Sequence, residues 1–184
     1  MGQLGERIVL VGPSCAGKST LAATLAERLA LPLVELDALY WKPNWQGTPD
    51  DEFLETVGAA TAGERWVMAG NYGQQRPLTW PRAQSIVWLD LPLRVTIPRI
   101  LQRSFRRWSR GELLWGTNRE NFVEQLAVWD LERSLIAYNI SRVRRMQRTY
   151  TAAMREPRWA HLRFHRLRSR TEIAEWLERH APAA

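Results

Sequence analysis

Short apolar runs alternate along this chain with longer stretches in which apolar residues recur every three or four positions. The runs span four or five residues and are rich in β-branched side chains, which is typical of buried strands. In the longer stretches the apolar positions have helical spacing, as Leu21, Leu25 and Leu29 do. This alternation of strand and helix predicts an α/β fold in which a parallel sheet carries helices on both faces.

The pattern predicts five strands and six helices. The strands cover residues 7–11, 33–36, 66–69, 85–89 and 162–165. The helices cover residues 17–30, 50–62, 92–111, a segment that begins at 119, 131–154 and 171–179. Residues 38–49 are predicted to form a loop. We expect Asp50 or Asp51 to cap one helix and Thr117 or Asn118 another, because such side chains accept hydrogen bonds from free N–H groups.

A phosphate-binding motif, the P-loop, connects the first predicted strand to the first predicted helix. It covers residues 12–20. Glycines at both ends of such a loop let successive N–H groups point inward, and the following helix adds the positive end of its dipole. Lys18 then reaches the β- and γ-phosphates, and the Ser19 hydroxyl is a ligand for Mg²⁺. The motif predicts a nucleoside triphosphate site made by Gly12, Pro13, Ser14, Cys15, Ala16, Gly17, Lys18, Ser19 and Thr20.

Polar residues follow three other predicted strands, at the edge where ligands bind in open parallel sheets. Asp37 follows the second strand, where its carboxylate can accept a proton from an acceptor hydroxyl, orient that hydroxyl or hold Mg²⁺ through water. The alternative is that Asp37 only caps a helix or turn. Asn71 and Tyr72 follow the third strand. Asp90 follows the fourth, which suits either a Walker B carboxylate or a cap for the next helix.

Positive charge is concentrated in one part of the chain. The net charge is +7, yet residues 94–170 alone contain 18 Arg and 6 acidic residues. A GC-rich genome would explain the preference for Arg over Lys but not this clustering. An Arg-rich segment beside a P-loop suits a lid over nucleotide phosphates, and it also suits a nucleic-acid surface. Arg99 and Arg103 share a helix face, so they either contact the nucleotide or are solvated surface charges.

Length, hydropathy and cysteine content narrow the class of protein. The 184 residues fit one domain, predicted over residues 1–184. No apolar stretch is long enough to span a membrane, and no secretory leader is evident. Cys15 is the only cysteine, which excludes an internal disulfide and suits a reducing cytoplasm. The sequence leaves open whether the protein is a monomer or a homodimer.

Further motifs accompany the P-loop. They are Ser19-Thr20-Leu21-Ala22, Leu36-Asp37-Ala38-Leu39-Tyr40-Trp41, Pro43-x-Trp45, Trp66 to Tyr72, Trp88-Leu89-Asp90-Leu91-Pro92 and Gly116-Thr117-Asn118-Arg119-Glu120. Together they resemble the adenylate-kinase-like P-loop proteins called DNA topology modulation proteins. The resemblance covers most of the chain and is more specific than the P-loop alone.

This resemblance implies the nucleoside-monophosphate-kinase fold, with three layers, a five-stranded parallel sheet in the order 2-3-1-4-5 and an Arg-rich helical lid over about residues 99–120. It implies ATP and Mg²⁺ as cofactors. Arg99 and Arg103 match the arginine pair that opens the lid of adenylate kinases, one near the adenine and one at the phosphates. The implied catalytic residues are Lys18, Asp37 and Arg103, and the implied metal-binding residues are Ser19 and Asp37. The acceptor is expected between Asp37, Tyr40, Trp41, Asn71 and Tyr72.

Two departures from the family pattern bear on catalysis. Ala69 stands where the family usually has an Asp that helps to hold hydrated Mg²⁺, which shifts that task to Ser19, Asp37 and Asp90. In adenylate kinases an Arg in the region after the second strand contacts AMP, whereas residues 38–62 here contain Lys42 as their only basic residue. Strict specificity for AMP is therefore not expected.

Two functional hypotheses follow. The first is an ATP-dependent kinase that phosphorylates a small molecule, with a nucleotide or nucleoside among the candidate acceptors. The second is a weakly catalytic, ATP-dependent regulatory protein that binds nucleic acid through residues 94–170. We favour the kinase because lid arginines account for the same charge without nucleic acid. A purely structural protein would leave the P-loop unexplained.

Overall fold

The computed structural model describes residues 4–127, 129–131 and 133–183. Its centre is a sheet of five parallel strands, β1 (Arg7–Val11), β2 (Leu33–Glu35), β3 (Trp66–Ala69), β4 (Ser85–Leu89) and β5 (Arg163–Leu167). The spatial order is β2-β3-β1-β4-β5, so the predicted α/β fold and order 2-3-1-4-5 are confirmed. The order takes this form when the sheet is numbered without the two short hairpins described below.

Eight α-helices connect and cover these strands in the described residues. Helices on both faces of the sheet give the three predicted layers. They are α1 (Lys18–Leu29), α2 (Leu36–Tyr40), α3 (Asp50–Ala60), α4 (Arg76–Thr79), α5 (Leu93–Arg110), α6 (Phe122–Gln125), α7 (Leu135–Ala153) and α8 (Arg170–His180). None of the helices within these residues is long and apolar enough to cross a membrane.

The three central strands β1, β3 and β4 are largely apolar because both faces of the sheet are buried there, whereas the edge strand β5 carries Arg163, His165 and Arg166. Side chains of β1 alternate between two cores, with Ile8 and Leu10 packing toward α1 and α8. Val9 and Val11 pack on the other side, in a core that contains Trp88 and residues of α3 and α7. This double burial explains why the short β-branched runs correctly predicted the positions of β1, β3 and β4. In a strand with one solvated face, apolar and polar residues would alternate.

The prediction of a loop over residues 38–49 is wrong in part. Asp37 lies inside the short helix α2 rather than in an extended strand end. Trp41–Lys42 and Gln46–Gly47 then pair as an antiparallel hairpin, here called the first hairpin. Its turn places Asn44 at φ 58° and Trp45 at φ 57°, a left-handed conformation that composition alone does not predict for Trp.

The prediction of a helix beginning at Arg119-Glu120 is also wrong. Leu113–Leu114 and Asn118–Arg119 pair as a second antiparallel hairpin, and its turn has positive φ at Trp115 and Gly116. Neither Thr117 nor Asn118 caps a helix. The short helix α6 starts later and is capped by the Asn121 side chain, which accepts a hydrogen bond from the Val123 N–H.

Helix α4 was not predicted, and the other differences concern the ends of helices and strands. Helix α3 begins after Pro49 without a side-chain cap, so neither Asp50 nor Asp51 caps it, although both lie in its first turn. Helix α7 begins at Leu135 rather than at residue 131, with Ser134 as its cap. Position 132, in the predicted extension, lies outside the described residues. Strand β5 continues to Leu167, two residues beyond its predicted end.

Candidate functional site

The P-loop joins β1 to α1 at the carboxyl edge of the sheet. Gly12 has φ 145° and Gly17 has φ 100°, conformations that side chains rarely adopt. A Cβ on Gly12 would lie 2.5 Å from the Leu89 carbonyl oxygen, so the loop can pass β4 only with glycine there. Gly17 caps α1 without a side-chain hydrogen bond. The first N–H groups of α1 are therefore available to an anion.

Two asparagines, Asn71 after β3 and Asn139 on α7, hold the P-loop backbone. The Asn71 side chain accepts a hydrogen bond from the Gly12 N–H at 2.9 Å and donates one to the Gly12 carbonyl. The buried Asn139 on α7 does the same with Ser14, at 3.1 and 3.2 Å. Each side-chain amide thus forms hydrogen bonds with both the backbone N–H and the backbone carbonyl of one loop residue. Nothing in the sequence indicated the role of Asn139, because a single Asn within a helix has no diagnostic spacing.

Lys18 lies at the mouth of the loop, where its Nζ donates to the carbonyls of Gly12 and Pro13, both at 3.0 Å. Burial lowers the pKa of this ammonium group, and the nearby Asp37 carboxylate partly opposes the shift. Burying a cation costs free energy unless an anion accompanies it. The environment of Lys18 therefore favours the approach of a phosphate.

A cavity of about 1330 Å³ extends from the P-loop. Its walls come from the loop and α1, the carboxyl ends of β2 and β3, helix α5, both hairpins and helix α8. Small-molecule sites commonly have volumes of about 300–1,000 Å³. The cavity is therefore large enough for a nucleotide and a second substrate together.

Helix α5 turns a row of arginines toward this cavity. Arg99 donates to the carbonyls of Cys15 and Ala16 at 3.2 and 3.4 Å. Burial lowers the pKa of Arg99, as does the charge of the nearby Arg170. Arg103 is half-buried, and its Nε has no hydrogen-bond partner. A buried donor without a partner is costly, so Arg103 fits a site that binds an anion such as phosphate.

Glu120 fixes the next arginine of the row. Its buried carboxylate accepts hydrogen bonds from Ser104 and, at 3.2 Å, from Arg107. Arg107 also lies 3.6 Å from Glu112. Two carboxylates thus neutralise Arg107, whereas Arg103, one helical turn earlier, has no ion-pair partner among the described residues. The sequence showed the density of arginines but not which of them remain unpaired.

Asp37 faces the same cavity from α2. Its Oδ1 accepts a hydrogen bond from the Tyr72 hydroxyl at 2.8 Å. Burial raises the pKa of Tyr72 strongly, and the Asp37 charge adds to that effect, so this phenol remains a donor across the accessible pH range. Tyr72 in turn packs against Tyr40 with ring centroids 4.6 Å apart. One oxygen of Asp37 is thereby held, while the other is available to a substrate.

The two hairpins meet across the mouth of the cavity. The Asn118 side chain accepts from the Trp45 N–H at 2.8 Å and donates to the Lys42 carbonyl at 3.1 Å. The Trp45 indole also donates to the Arg119 carbonyl at 2.9 Å. Trp45 makes edge contacts with Trp41 and Trp115 at centroid distances of 5.6 and 5.9 Å. All three indoles line the cavity, and we call them the tryptophan wall.

Asp90 forms an ion pair with Arg166 and does not face the cavity. Its side chain is 6% exposed and accepts from both Nε and Nη2 of Arg166, at 2.8 and 2.6 Å, and from Gln147 at 3.0 Å. The Arg166 guanidinium also lies 4.2 Å from the centroid of the Trp88 ring. Because both oxygens of Asp90 are already hydrogen-bonded and the residue does not line the cavity, its surroundings fit neither a metal ligand nor a helix cap.

Two solved structures match almost the whole chain. A gluconokinase from Sinorhizobium meliloti 1021 is 18% identical, with 98% of this chain and 95% of that chain covered, at a TM-score of 0.52. A shikimate kinase from Bacteroides thetaiotaomicron is 19% identical over 95% of each chain, at a TM-score of 0.50. The sequence matches no protein-family model and no curated protein. At these identities the likeness concerns architecture. The chain has the fold of the P-loop kinases.

Within this P-loop kinase fold, most of the predicted site residues line one cavity. They are Ser14, Cys15, Ala16, Gly17, Lys18, Ser19, Thr20, Asp37, Trp41, Arg99 and Arg103. Five others lie behind that surface, namely Gly12, Pro13, Tyr40, Asn71 and Tyr72. Asn71 holds the loop and Tyr72 holds Asp37, so their expected contact with a substrate remains a prediction.

Several residues around the cavity carry no signal in the sequence. Glu35, Trp45, Trp115 and Glu124 line the cavity, and Asn118 joins the hairpins. Trp45 occurred in a motif already noted, but without a role, and Asn118 was expected only to cap a helix. Their contribution depends on a contact between segments more than 70 residues apart, which periodicity cannot reveal.

Proposed function

We propose that this protein is an ATP-dependent kinase that transfers the γ-phosphoryl group of ATP to a hydroxyl of a small molecule. The observation that carries the proposal is the shared cavity: the P-loop, the unpaired Arg103 and the Asp37 carboxylate all face it. A phosphate site alone would serve any nucleotide-binding protein. A carboxylate held near the P-loop lysine adds a group that can receive a proton from an acceptor.

The residues present fit Mg·ATP. The free N–H groups at the start of α1, the half-buried Lys18 and the guanidinium of Arg103, which forms no ion pair with a described residue, provide donors for phosphate oxygens. Ser19 would hold Mg²⁺, with Asp37 contributing through water. When bound, Mg²⁺ neutralises charge on the β- and γ-phosphates. Since Ala69 lacks a carboxylate and Asp90 is paired with Arg166, Ser19 and Asp37 carry this task in the proposal.

Each side chain has a defined part in the proposed transfer. Lys18 and Arg103 stabilise negative charge that shifts toward the β-phosphate as the bond to the leaving oxygen breaks. Asp37 orients the acceptor hydroxyl and receives its proton, while Tyr72 keeps the carboxylate in place. The two hairpins exclude water from the reacting groups, which would limit hydrolysis of ATP.

The direct test is phosphoryl transfer from γ-labelled ATP with Mg²⁺ to a panel of nucleosides, nucleoside monophosphates and small alcohols. Lys18→Ala should lower transfer by about 100-fold or more, because it removes a preorganised charge at the phosphates. Lys42→Ala is the matched control: it replaces the other lysine of the chain, which pairs with Glu52 at 2.7 Å. Wild-type turnover in Lys18→Ala would contradict the kinase proposal.

A second candidate function is supported by a separate surface. Arg142, Arg144, Arg145 and Arg148 are exposed on α7, a helix without acidic residues, and they do not line the cavity. They suit the regulatory alternative, in which the protein binds nucleic acid, and the motif resemblance to DNA topology modulation proteins points the same way. The logarithm of the DNA dissociation constant should then rise steeply with the logarithm of salt concentration. Salt-independent or undetectable binding would contradict this candidate.

A further inference from the structure

We infer, on the basis of the proposed kinase function, that the acceptor is an uncharged, hydroxyl-bearing compound with an apolar ring face. The inference concerns the acceptor half of the cavity, by which we mean Glu35, Asp37, Ala69 and the tryptophan wall. A phosphate monoester or carboxylate as acceptor is disfavoured by the same residues. Nucleosides, sugars and cyclic polyols have the chemistry that this part of the cavity would recognise.

Glu35 provides a free carboxylate in the acceptor half of the cavity. It ends β2 and lies in register with Ala69 on the adjacent parallel strand, so both side chains project from the same side of the sheet. Both line the cavity. The Glu35 carboxylate is half-buried and accepts no hydrogen bond from the described residues. A partly buried acceptor without a donor is suited to a ligand that brings hydroxyl groups.

Within the part of the chain that the structure describes, no cation belongs to the acceptor half of the cavity. Lys42 belongs to the first hairpin but pairs with Glu52 and does not line the cavity. Arg65, after α3, pairs with Glu6 at 2.8 Å and is also outside it. Every described cation that does line the cavity comes from the P-loop or from residues 99–170.

Four of the six arginines among those cations are paired with carboxylates or lie at the P-loop. Of the other two, Arg170 acts through its charge on Arg99, and Arg106 is exposed on α5. Arg107 is held by Glu120, and Arg133 lies 3.7 Å from Asp130. Arg99 bonds to P-loop carbonyls, and the charge of Arg103 affects both Cys15 and Lys18. The basic side of the cavity therefore surrounds the phosphate loop, and the acceptor half carries two carboxylates.

The tryptophan wall provides the apolar surface of the acceptor half. Its indoles meet edge to face, at interplanar angles of 80° and 86°, which leaves a continuous apolar surface rather than a polar one. Trp45 is fixed by hydrogen bonds of its backbone and its indole to the second hairpin. Such a rigid aromatic surface fits the face of a sugar, polyol or nucleobase ring.

The two carboxylates and the tryptophan wall together favour an uncharged acceptor that carries hydroxyl groups. An anionic group on the acceptor would approach Glu35 and Asp37 without a compensating cation, and like charges in a partly buried site are unfavourable. Hydroxyl groups would instead donate to the same carboxylates. A site built on hydrogen bonds to hydroxyls discriminates strongly against analogues that leave its polar groups unpaired.

The transfer itself balances without any further reactant. The acceptor oxygen forms a bond to the γ-phosphorus, and the bond from that phosphorus to the β,γ-bridging oxygen breaks. ADP leaves with the bonding electron pair. The proton of the acceptor hydroxyl passes to the free oxygen of Asp37 and then to water.

The experiment compares acceptors in pairs that differ by an anionic group, using the full chain, Mg·ATP and the labelled-phosphate assay. The pairs are adenosine and AMP, glucose and glucuronate, and myo-inositol and myo-inositol 1-phosphate. We expect kcat/KM for the uncharged member of the preferred pair to exceed that of its partner at least tenfold. Preference for the anionic member would overturn the inference while leaving the kinase proposal intact. If no compound is phosphorylated in a Lys18-dependent manner, the kinase proposal fails, and the inference fails with it.

Glu35→Gln gives an independent measurement on the same pairs. It should raise the kcat/KM of the anionic member several-fold relative to its uncharged partner and leave the KM for ATP unchanged. Glu55→Gln is the matched control, since Glu55 is exposed on α3 and lies outside the cavity. If Glu35→Gln instead raises the Mg²⁺ concentration needed for activity, with acceptor preference unaltered, Glu35 serves the metal in place of a carboxylate at position 69. That result would overturn the inference.

Discussion

The smallest unit on which the proposed chemistry depends is the pair formed by Tyr72 and Asp37. Asp37 is exposed on a short helix, and such a carboxylate would normally sample several rotamers. The hydrogen bond from Tyr72 restricts it, and the contact of Tyr72 with Tyr40 and Phe53 restricts the phenol in turn. The carboxylate proposed to act in catalysis is thus oriented by Tyr72, a residue that does not line the cavity.

Tyr72→Phe should lower kcat by about 5-fold, since one hydrogen bond to a partly exposed carboxylate contributes on the order of 1 kcal/mol. The KM for ATP should stay unchanged, because the phenylalanine ring keeps the packing and the P-loop is not altered. Steady-state kinetics with the acceptor found above would measure both constants. An effect on the KM for ATP without one on kcat would show that Tyr72 acts through the nucleotide site instead.

At the scale of elements, helix α7 connects the phosphate loop to the core of the molecule. Asn139, near its start, holds Ser14 of the P-loop. Gln147 and Tyr150, two to three turns later, contact Asp90 and Asn71. One helix therefore reaches both asparagine contacts and the buried ion pair, so the position of the loop depends on the packing of α7.

Asn139→Leu should weaken ATP binding several-fold and lower the free energy of unfolding by about 1–3 kcal/mol, because the Ser14 N–H and carbonyl lose their buried partners. Calorimetric titration with ATP and urea denaturation would measure the two effects. Ser141→Ala, on the exposed side of the same helix, is the control. Unchanged ATP affinity in Asn139→Leu would refute the idea that this amide shapes the loop.

Asp90→Asn tests the ion pair that links β4, β5 and α7. Breaking a buried pair leaves the Arg166 charge uncompensated, which should cost about 2–4 kcal/mol of unfolding free energy. Arg166 is 24% exposed, which places the cost toward the lower part of that range. ATP affinity of the folded variant should stay within about twofold of wild type. Asp51→Asn, at an exposed position, serves as control. A large loss of Mg²⁺-dependent activity at full stability would identify Asp90 as a Walker B residue.

For the molecule as a whole, α8 closes one face of the sheet over a histidine. The His165 ring contacts Trp176 and His180 of α8 at centroid distances of 5.4 and 5.1 Å. Burial lowers the pKa of His165 to about 4, and the charges of His180 and Arg163 act in the same direction. The folded protein therefore holds this ring neutral at pH values where the unfolded chain would protonate it.

This difference makes overall stability dependent on pH. Between pH 6.5 and 4 the unfolded state binds a proton at His165 that the folded state does not. The contribution of His165 to the free energy of unfolding is therefore fully present above pH 6.5 and is lost as the pH falls toward 4. We expect the melting temperature to fall over this range by less in His165→Gln than in wild type. Thermal denaturation at pH 7.5, 6, 5 and 4.5 would measure it. Parallel curves for the two proteins would exclude a contribution from His165.

The chain sequence alone determined the parts of this protein that depend on local periodicity and on one motif. Strands buried on both faces are continuous apolar runs, so β1, β3 and β4 could be located, and the P-loop motif predicted the loop between β1 and α1. The resemblance to known P-loop proteins then supplied the strand order. Each of these features is contained within a short segment or follows from the order of such segments.

Only the tertiary structure decided which polar side chains remain free to bind a ligand. Asn118 was expected at a helix start, yet its amide joins two distant hairpins. Asp90 and Arg107 are neutralised, whereas Glu35 and Arg103 are not. A side chain becomes available when no other segment satisfies it, and that depends on contacts between residues far apart in the chain. Local spacing therefore located the P-loop, while the folded arrangement determined the charge and shape of the space beside it.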